Sequence, residues 1–225
     1  MVVRELLDRA KEAGLELARS QDGLALVGDG MSVRGDFAHL LPRTRKGNLN
    51  RELLVKAAKV KRRDDAQLLA VDATAGLGDD AFLLAAAGFH VTMFERNPII
   101  AALLADALER AESDPNLAMV TGRMRLVEGE SASALPHLGF TPDVVLLDPM
   151  FPAKGKDAAA KKKLQMLQKL EDPCTDEAAL LEAARAAHPR KVVVKRPVKG
   201  PYLAGRKPSY SLAGKAIRYD VHAFA

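Results

Sequence analysis

From Gln67 onward the chain alternates short apolar runs with amphipathic stretches, and this pattern narrows its possible folds more than any other feature. Runs of four to six apolar residues are too short for core helices, whereas the segments between them carry helical spacing. The alternation predicts strands over 68–72, 90–95, 124–128, 143–148 and 191–195, with helices over 80–87, 98–111 and 175–187. Strands read as continuous apolar runs belong to a parallel sheet covered on both faces, so the expected class is α/β and doubly wound. Pro98 suits the first turn of its helix, and Thr175-Asp176-Glu177 supplies a cap and negative charge where the last helix begins.

The ends of the chain follow other rules. Beyond Pro197, Ser209–Ser211 and Ala216–Ala223 alternate on either side of Ala213-Gly214, which predicts a C-terminal antiparallel hairpin. Residues 2–13 show helical spacing, and short strands are expected at Leu15–Ala18, Leu24–Val27 and Met31–Arg34. A small N-terminal α+β cap over 1–45 and a main domain over 46–225 are therefore expected, the second entered by a basic helix between Pro42 and Arg63 with Leu53, Leu54, Ala57 and Ala58 as its apolar stripe.

Charge distribution says more than the net charge of +5. Residues 42–63, 154–169 and 190–218 hold 24 of the 34 lysines and arginines but only 2 of the 29 acids, which points to a polyanionic partner such as RNA. Arg43, Arg45, Lys46, Lys154, Lys161 and Lys162 are the expected phosphate contacts. Lys195 and Arg196, at the end of an apolar strand, either meet RNA or pair with a nearby acid. No run of eighteen apolar residues occurs, and charges enter too early at the N-terminus for a secretion signal, so a cytoplasmic protein with no membrane association is expected. Cys174 has no disulfide partner, and the five histidines are scattered, so neither a redox motif nor a metal site is expected.

The first predicted strand runs into Val71-Asp72-Ala73-Thr74-Ala75-Gly76-Leu77-Gly78-Asp79-Asp80. In a doubly wound sheet a ligand sits over this strand edge, where Gly76 and Gly78 let the backbone come close and Asp72 ends the strand. The next strand ends in Glu95-Arg96, nineteen residues past Gly76, a carboxylate placed to hold the two hydroxyls of a ribose. A dinucleotide cofactor is disfavoured, because the third glycine of its fingerprint is missing and Asp79 and Asp80 would repel a pyrophosphate. A ligand carrying an amino group and a sulfonium suits those acids better. The fourth strand then ends in Asp148-Pro149-Met150-Phe151-Pro152. Asp148, or the Pro149 carbonyl, can accept hydrogen bonds from the exocyclic amine of a base, and Phe151 can stack on a base displaced from its helix.

These segments together resemble the bacterial small-subunit (16S) ribosomal RNA methyltransferases of the RsmJ type. The resemblance rests on Asp72–Phe82, Glu95–Pro98, Leu147–Pro152, Lys161–Lys163 and Val192–Pro197, in that order along the chain. It implies a Rossmann-like class I methyltransferase sheet, S-adenosylmethionine as cofactor, and methylation of the N2 amine of a guanosine in naked small-subunit rRNA or the assembled 30S subunit. It further implies cofactor contacts at Asp79, Asp80, Glu95, Arg96, Glu130, Ser131 and Asp148. Asp79 stands where the family carries an arginine, and Glu130 where it carries a serine. Other readings of the residues are methylation of a DNA adenine or tRNA amine, a nicotinamide-dependent oxidoreductase, and a non-catalytic RNA-binding protein, which would leave Asp148 without a task.

Overall fold

The computed structural model describes residues 3–61, 66–149, 165–170 and 176–224. Its centre is a seven-stranded sheet built from β4 (Leu68–Asp72), β5 (Phe89–Glu95), β6 (Met124–Glu128), β7 (Val144–Leu147), β8 (Lys191–Pro197), β9 (Tyr210–Ala213) and β10 (Ile217–Ala223). The strand order is β6-β5-β4-β7-β8-β10-β9. β4 to β8 run parallel, and β10 lies antiparallel to both β8 and β9. The order reverses between β4 and β7, so their C-terminal ends splay around a crevice, the expected ligand position in an open α/β sheet.

Alternation along the strands sorts side chains between two apolar layers. Ala70, Val91, Met93, Val144, Leu146, Val193, Tyr219 and Val221 pack with α5 (Asp79–Ala86) and α4 (Leu53–Ala58) on one face. Val71, Val145, Leu147, Val192 and Val194 pack with α9 (Glu177–Ala186) on the other. The predicted parallel strands and three core helices are all present, with ends moved by one or two residues. Asp176, through its side chain, caps α9.

The N-terminal region forms α1 (Val3–Glu12) and an antiparallel meander of β1 (Glu16–Ser20), β2 (Gly23–Gly28) and β3 (Met31–Val33). It packs on α6 (Pro98–Ala111): Leu26 and Val33 share an apolar cluster with Ile99, Ile100 and Leu103. Leu104 and Ala107 of the same helix belong to the core of the large sheet. Buried Asp106 ties the two together, accepting from the Leu24 amide and pairing with Arg110 and Arg19. That cluster contains Leu77 from the glycine loop, so the meander also supports the cofactor edge.

The basic helix expected between Pro42 and Arg63 is three short helices instead: α2 (Leu41–Thr44), α3 (Lys46–Leu49) and α4. Arg45 and Glu52 adopt extended ψ angles of 135° and 127° at the two breaks. Gly47, Asn48 and Asn50 are weak helix formers, and the bends let Leu54, Ala57 and Ala58 face the sheet while the cations stay outside. Among the described residues α7 (Pro115–Thr121) and α8 (Ser131–Ala134) also went unpredicted, both too short to show a clear period.

Candidate active site

A cavity of about 460 Å³ opens at the C-terminal ends of β4, β5 and β7 and is lined by residues from the glycine loop, Glu95, Arg96, Glu130, Ser131, Asp148, Pro149 and Lys195. Its first wall is set by the turn after β4. Gly76 and Gly78 both have positive φ, 55° and 82°. Gly78 is the left-handed N-cap of α5, and a Cβ there would come within 2.8 Å of Leu104 Cδ1 and 3.3 Å of the Phe37 ring. Gly78 lies outside the cavity wall: it shapes the turn, while Gly76 lines the cavity.

Glu95 is buried, and its carboxylate accepts from the Gly76 amide at 2.8 Å on one oxygen and from the Asn97 amide at 2.8 Å on the other. These bonds fix the orientation of its carboxylate at the cavity wall. Asn97 caps α6 through bonds from the Ile99 and Ile100 amides, the role that an asparagine before Pro98 signals. Arg96 sits 3.8 Å from Glu130, whose side chain also caps α8, so the cavity's outer rim carries both signs. Asp79 and Asp80 occupy the first turn of α5, where the helix dipole favours acids. Asp79 is half-exposed, 3.5 Å from His39 Nε2.

The second wall is a charge cluster. Lys195 Nζ lies 2.7 Å from Asp80 Oδ2 and 2.8 Å from Asp148 Oδ2. Asp148 follows β7 directly, and its amide donates to Thr74 Oγ1 at 2.7 Å, which ties the Asp-Pro turn to the glycine loop. Asp72 lies beneath, almost wholly buried, accepting from the Thr74 amide. Burial, with the Asp80 charge adding to it, pushes the Asp72 carboxyl up to about 8, so it is protonated at neutral pH. Burial also raises Asp148, and the Lys195 charge only partly offsets it. Burial alone would lower Lys195, but Asp148 and Asp80 outweigh it and hold the ammonium well above its ordinary range. With Asp72 protonated, two carboxylates face one ammonium, which leaves a net negative floor suited to a cationic ligand.

The expected site residues thus divide into groups. Asp72, Gly76, Asp79, Asp80, Glu95, Arg96, Glu130, Ser131, Asp148 and Pro149 meet around one cavity. Phe151, Lys154, Lys161 and Lys162 lie outside the described residues. Arg45 and Lys46 are exposed on the basic segment, and Arg43 is held by Glu52 through two bonds of 2.8 and 2.7 Å. Lys195 and Arg196, read as alternatives between RNA and an acid, both take acids. Arg196 departs furthest from phosphate contact: its side chain is fully buried on the other face of the sheet, 3.2 Å from Glu177 and bonded to the Pro201 carbonyl. Sequence reasoning missed Thr74 and the α9 residues Ala179 and Leu180, which join the cavity wall. Thr74 sits within the glycine loop and was legible there, whereas nothing in the spacing of Ala179 and Leu180 marks them, because they reach the cavity only through packing.

Known proteins bear on this arrangement. The family model described as "Putative SAM-dependent methyltransferase" matches residues 2–224. A Pseudomonas aeruginosa protein named ribosomal RNA small subunit methyltransferase J is 46% identical over 191 residues, covering 84% of this chain and 71% of its own length. A protein of the same name from Thioalkalivibrio sulfidiphilus is 42% identical, covering 95% of this chain and 90% of its own length. The crystal structure of a SAM-dependent methyltransferase from Neisseria gonorrhoeae superposes with a TM-score of 0.73 at 36% identity, covering 92% of this chain and 81% of that one. The Rossmann-like sheet, the cavity at its switch point and these relatives agree, and the chain belongs to the S-adenosylmethionine-dependent methyltransferases of the RsmJ type.

Proposed function

We propose that this enzyme methylates small-subunit (16S) ribosomal RNA in the cytoplasm, at the exocyclic N2 of a guanosine, and that Asp148 is the group that meets that amine. The observation that carries the reading is the Lys195 bridge, which holds Asp148 and Asp80 together on the floor of the cofactor cavity. The names of the relatives support the RNA as substrate. The choice of N2 rests on the Asp148-Pro149 turn and on the family resemblance.

When bound, S-adenosylmethionine supplies an electrophilic methyl group on a sulfonium. Glu95 is oriented to hold the ribose hydroxyls, and the negative floor formed by Asp80 and Asp148 favours the cationic end. Lys195 engages Asp148 through Oδ2, which leaves Oδ1 and the Pro149 carbonyl to orient the amine nitrogen. Catalysis is then chiefly a matter of position. The cofactor would supply the methyl group and leave as a neutral thioether, and the surplus proton would pass from the amine nitrogen to Asp148 or water. Phe151, three residues after Asp148 in the sequence, is the proposed stacking partner of the base.

The test is transfer of a labelled methyl group to unmodified small-subunit rRNA, assembled 30S subunits and duplex DNA, with Asp148→Ala alongside. Label recovered as N2-methylguanosine from a ribosomal substrate, with turnover down at least about 100-fold in the variant and RNA affinity retained, is the expected result. Label on DNA alone, or at another atom of the RNA, would overturn the assignment.

A further inference from the structure

A second cavity, of about 380 Å³, lies beside the first and is lined by Pro42, Arg43, Asn48, Arg51, Glu52, Leu53, Ile217 and Tyr219. The two are neighbours through one pair of residues. Tyr219 of β10 is directly opposite Lys195 of β8 in the antiparallel register, so their side chains share a face of the sheet. Lys195 lines the cofactor cavity and Tyr219 the second one. Asp80 acts electrostatically on both Tyr219 and Arg43, so the second cavity starts where the catalytic charge cluster ends.

Its lining has a distinct chemistry. Glu52 spends both carboxylate oxygens on Arg43, which holds that guanidinium rigid, whereas Arg51 is exposed and makes no ion pair among the described residues. The same lining includes apolar Leu53, Ile217 and the edge of the largely buried Tyr219, and Ile217, 36% exposed, is one of few large apolar side chains exposed among the described residues. A cation beside an apolar and aromatic wall is what a nucleotide needs, the phosphate taking the first and the sugar or base the second. Arg45, Lys46, Lys56, Lys59 and Lys61 are also exposed on the segment that forms one side of the cavity, so an acidic strand entering it stays in a favourable field. The Gly214 turn abuts Leu53 closely enough that a Cβ there would fall 2.9 Å from it, which fixes the hairpin against α4 and keeps the cavity's shape.

We propose that this cavity is a subsite for the RNA nucleotide adjoining the one that is methylated, with its phosphate at Arg51 and its sugar or base against Ile217 and Tyr219. The inference rests on the reading of the substrate as RNA. It assigns to Arg51 and Ile217 a substrate-binding role separate from the cofactor site and from Asp148.

Steady-state methylation of an rRNA fragment by wild type, Arg51→Glu, Ile217→Ala and a control reversal on the far edge strand, Arg125→Glu, tests it. Arg51→Glu is expected to raise the RNA KM about tenfold or more, to leave kcat and cofactor affinity within twofold, and to lower the slope of log KM against log salt by about one. Ile217→Ala should raise the RNA KM severalfold with the salt slope unchanged, and Arg125→Glu should do little. An unchanged KM in Arg51→Glu, or equal losses in Arg51→Glu and Arg125→Glu, would overturn the subsite while leaving the proposed function standing. Wild type inactive on every ribosomal substrate, with its cofactor bound, would instead remove the proposed function and the subsite with it.

Discussion

Lys195 and Arg196 are consecutive cations at the end of one strand, yet the two faces of the sheet use them oppositely. Lys195 points to the face shared by Asp72, Asp80, Asp148 and Tyr219, where it is partly accessible and lines the cofactor cavity. Arg196 points to the α9 face and meets Glu177 and the Pro201 carbonyl. Its register partner Arg218 binds buried Asp220 there, which also accepts from the Ser211 hydroxyl. These four charges, Arg196, Glu177, Arg218 and Asp220, are spent on holding the chain together. On the first face acids outnumber the cation, and the surplus negative charge is left for a ligand. Two cations with the same sequence context thus acquire different work because successive side chains on a strand point to opposite sides.

The sharpest way to break this comparison is to remove each cation in turn. Lys195→Met is expected to lower kcat by about 100-fold or more, a loss of roughly 3 kcal/mol of transition-state stabilisation, while the fold persists. Without the ammonium the Asp148 carboxyl, already raised by burial, rises further. The rising limb of the pH–rate profile should therefore move to higher pH, and a profile that falls uniformly without moving would show that Lys195 does not act through Asp148.

Arg196→Met should reverse the pattern. Removing the fully buried guanidinium leaves partly exposed Glu177 with its bond from the Ala204 amide alone, and denaturant unfolding should show a loss of about 2 kcal/mol. Methyl transfer at 25 °C should stay within about threefold of wild type. A large kcat loss with stability intact would erase the distinction between the faces.

Asp72 sharpens the comparison through pH. Its carboxyl moves from an ordinary 3.8 to about 8 in the folded protein. Between those values the folded state holds a proton that the unfolded chain has released, so this group's contribution to stability is complete below about pH 4 and is lost as pH rises through 8. Asp72→Asn keeps an acceptor for the Thr74 amide and cannot ionise. It should be more stable than wild type by on the order of 5 kcal/mol at pH 8.5 and by little at pH 4. Equal stability differences at both pH values would show that Asp72 is not held protonated. The smallest effect is expected from Ser211→Ala on the structural face, about 0.5–1 kcal/mol of stability with kcat unchanged, since Asp220 keeps both of its bonds to Arg218.

Much of this was legible in the chain. The apolar runs located the central strands β4, β7 and β8 because a strand buried on both faces must be apolar throughout, and Pro98 marked the start of α6 because its missing N–H suits a first helical turn. The segment at Pro42–Arg63 was misread because its apolar stripe is set by contact with α5 and β10 rather than by one continuous helix. Arg196 was ambiguous for a related reason: nothing local announces Glu177, nineteen residues earlier in the chain, as its partner.

The sequence by itself determined the strands, the glycine turn, the acids at the strand ends and the family, since each depends on residues close together in the chain or on their order along it. Only the tertiary structure decided which charges meet. Asp72, Asp148 and Lys195 converge because parallel pairing sets the ends of β4, β7 and β8 side by side with one parity, and Asp80 joins them because Gly78 turns α5 back over that edge. An ion pair depends on distance in space, and strand register, which sets that distance here, is fixed by packing across the whole sheet.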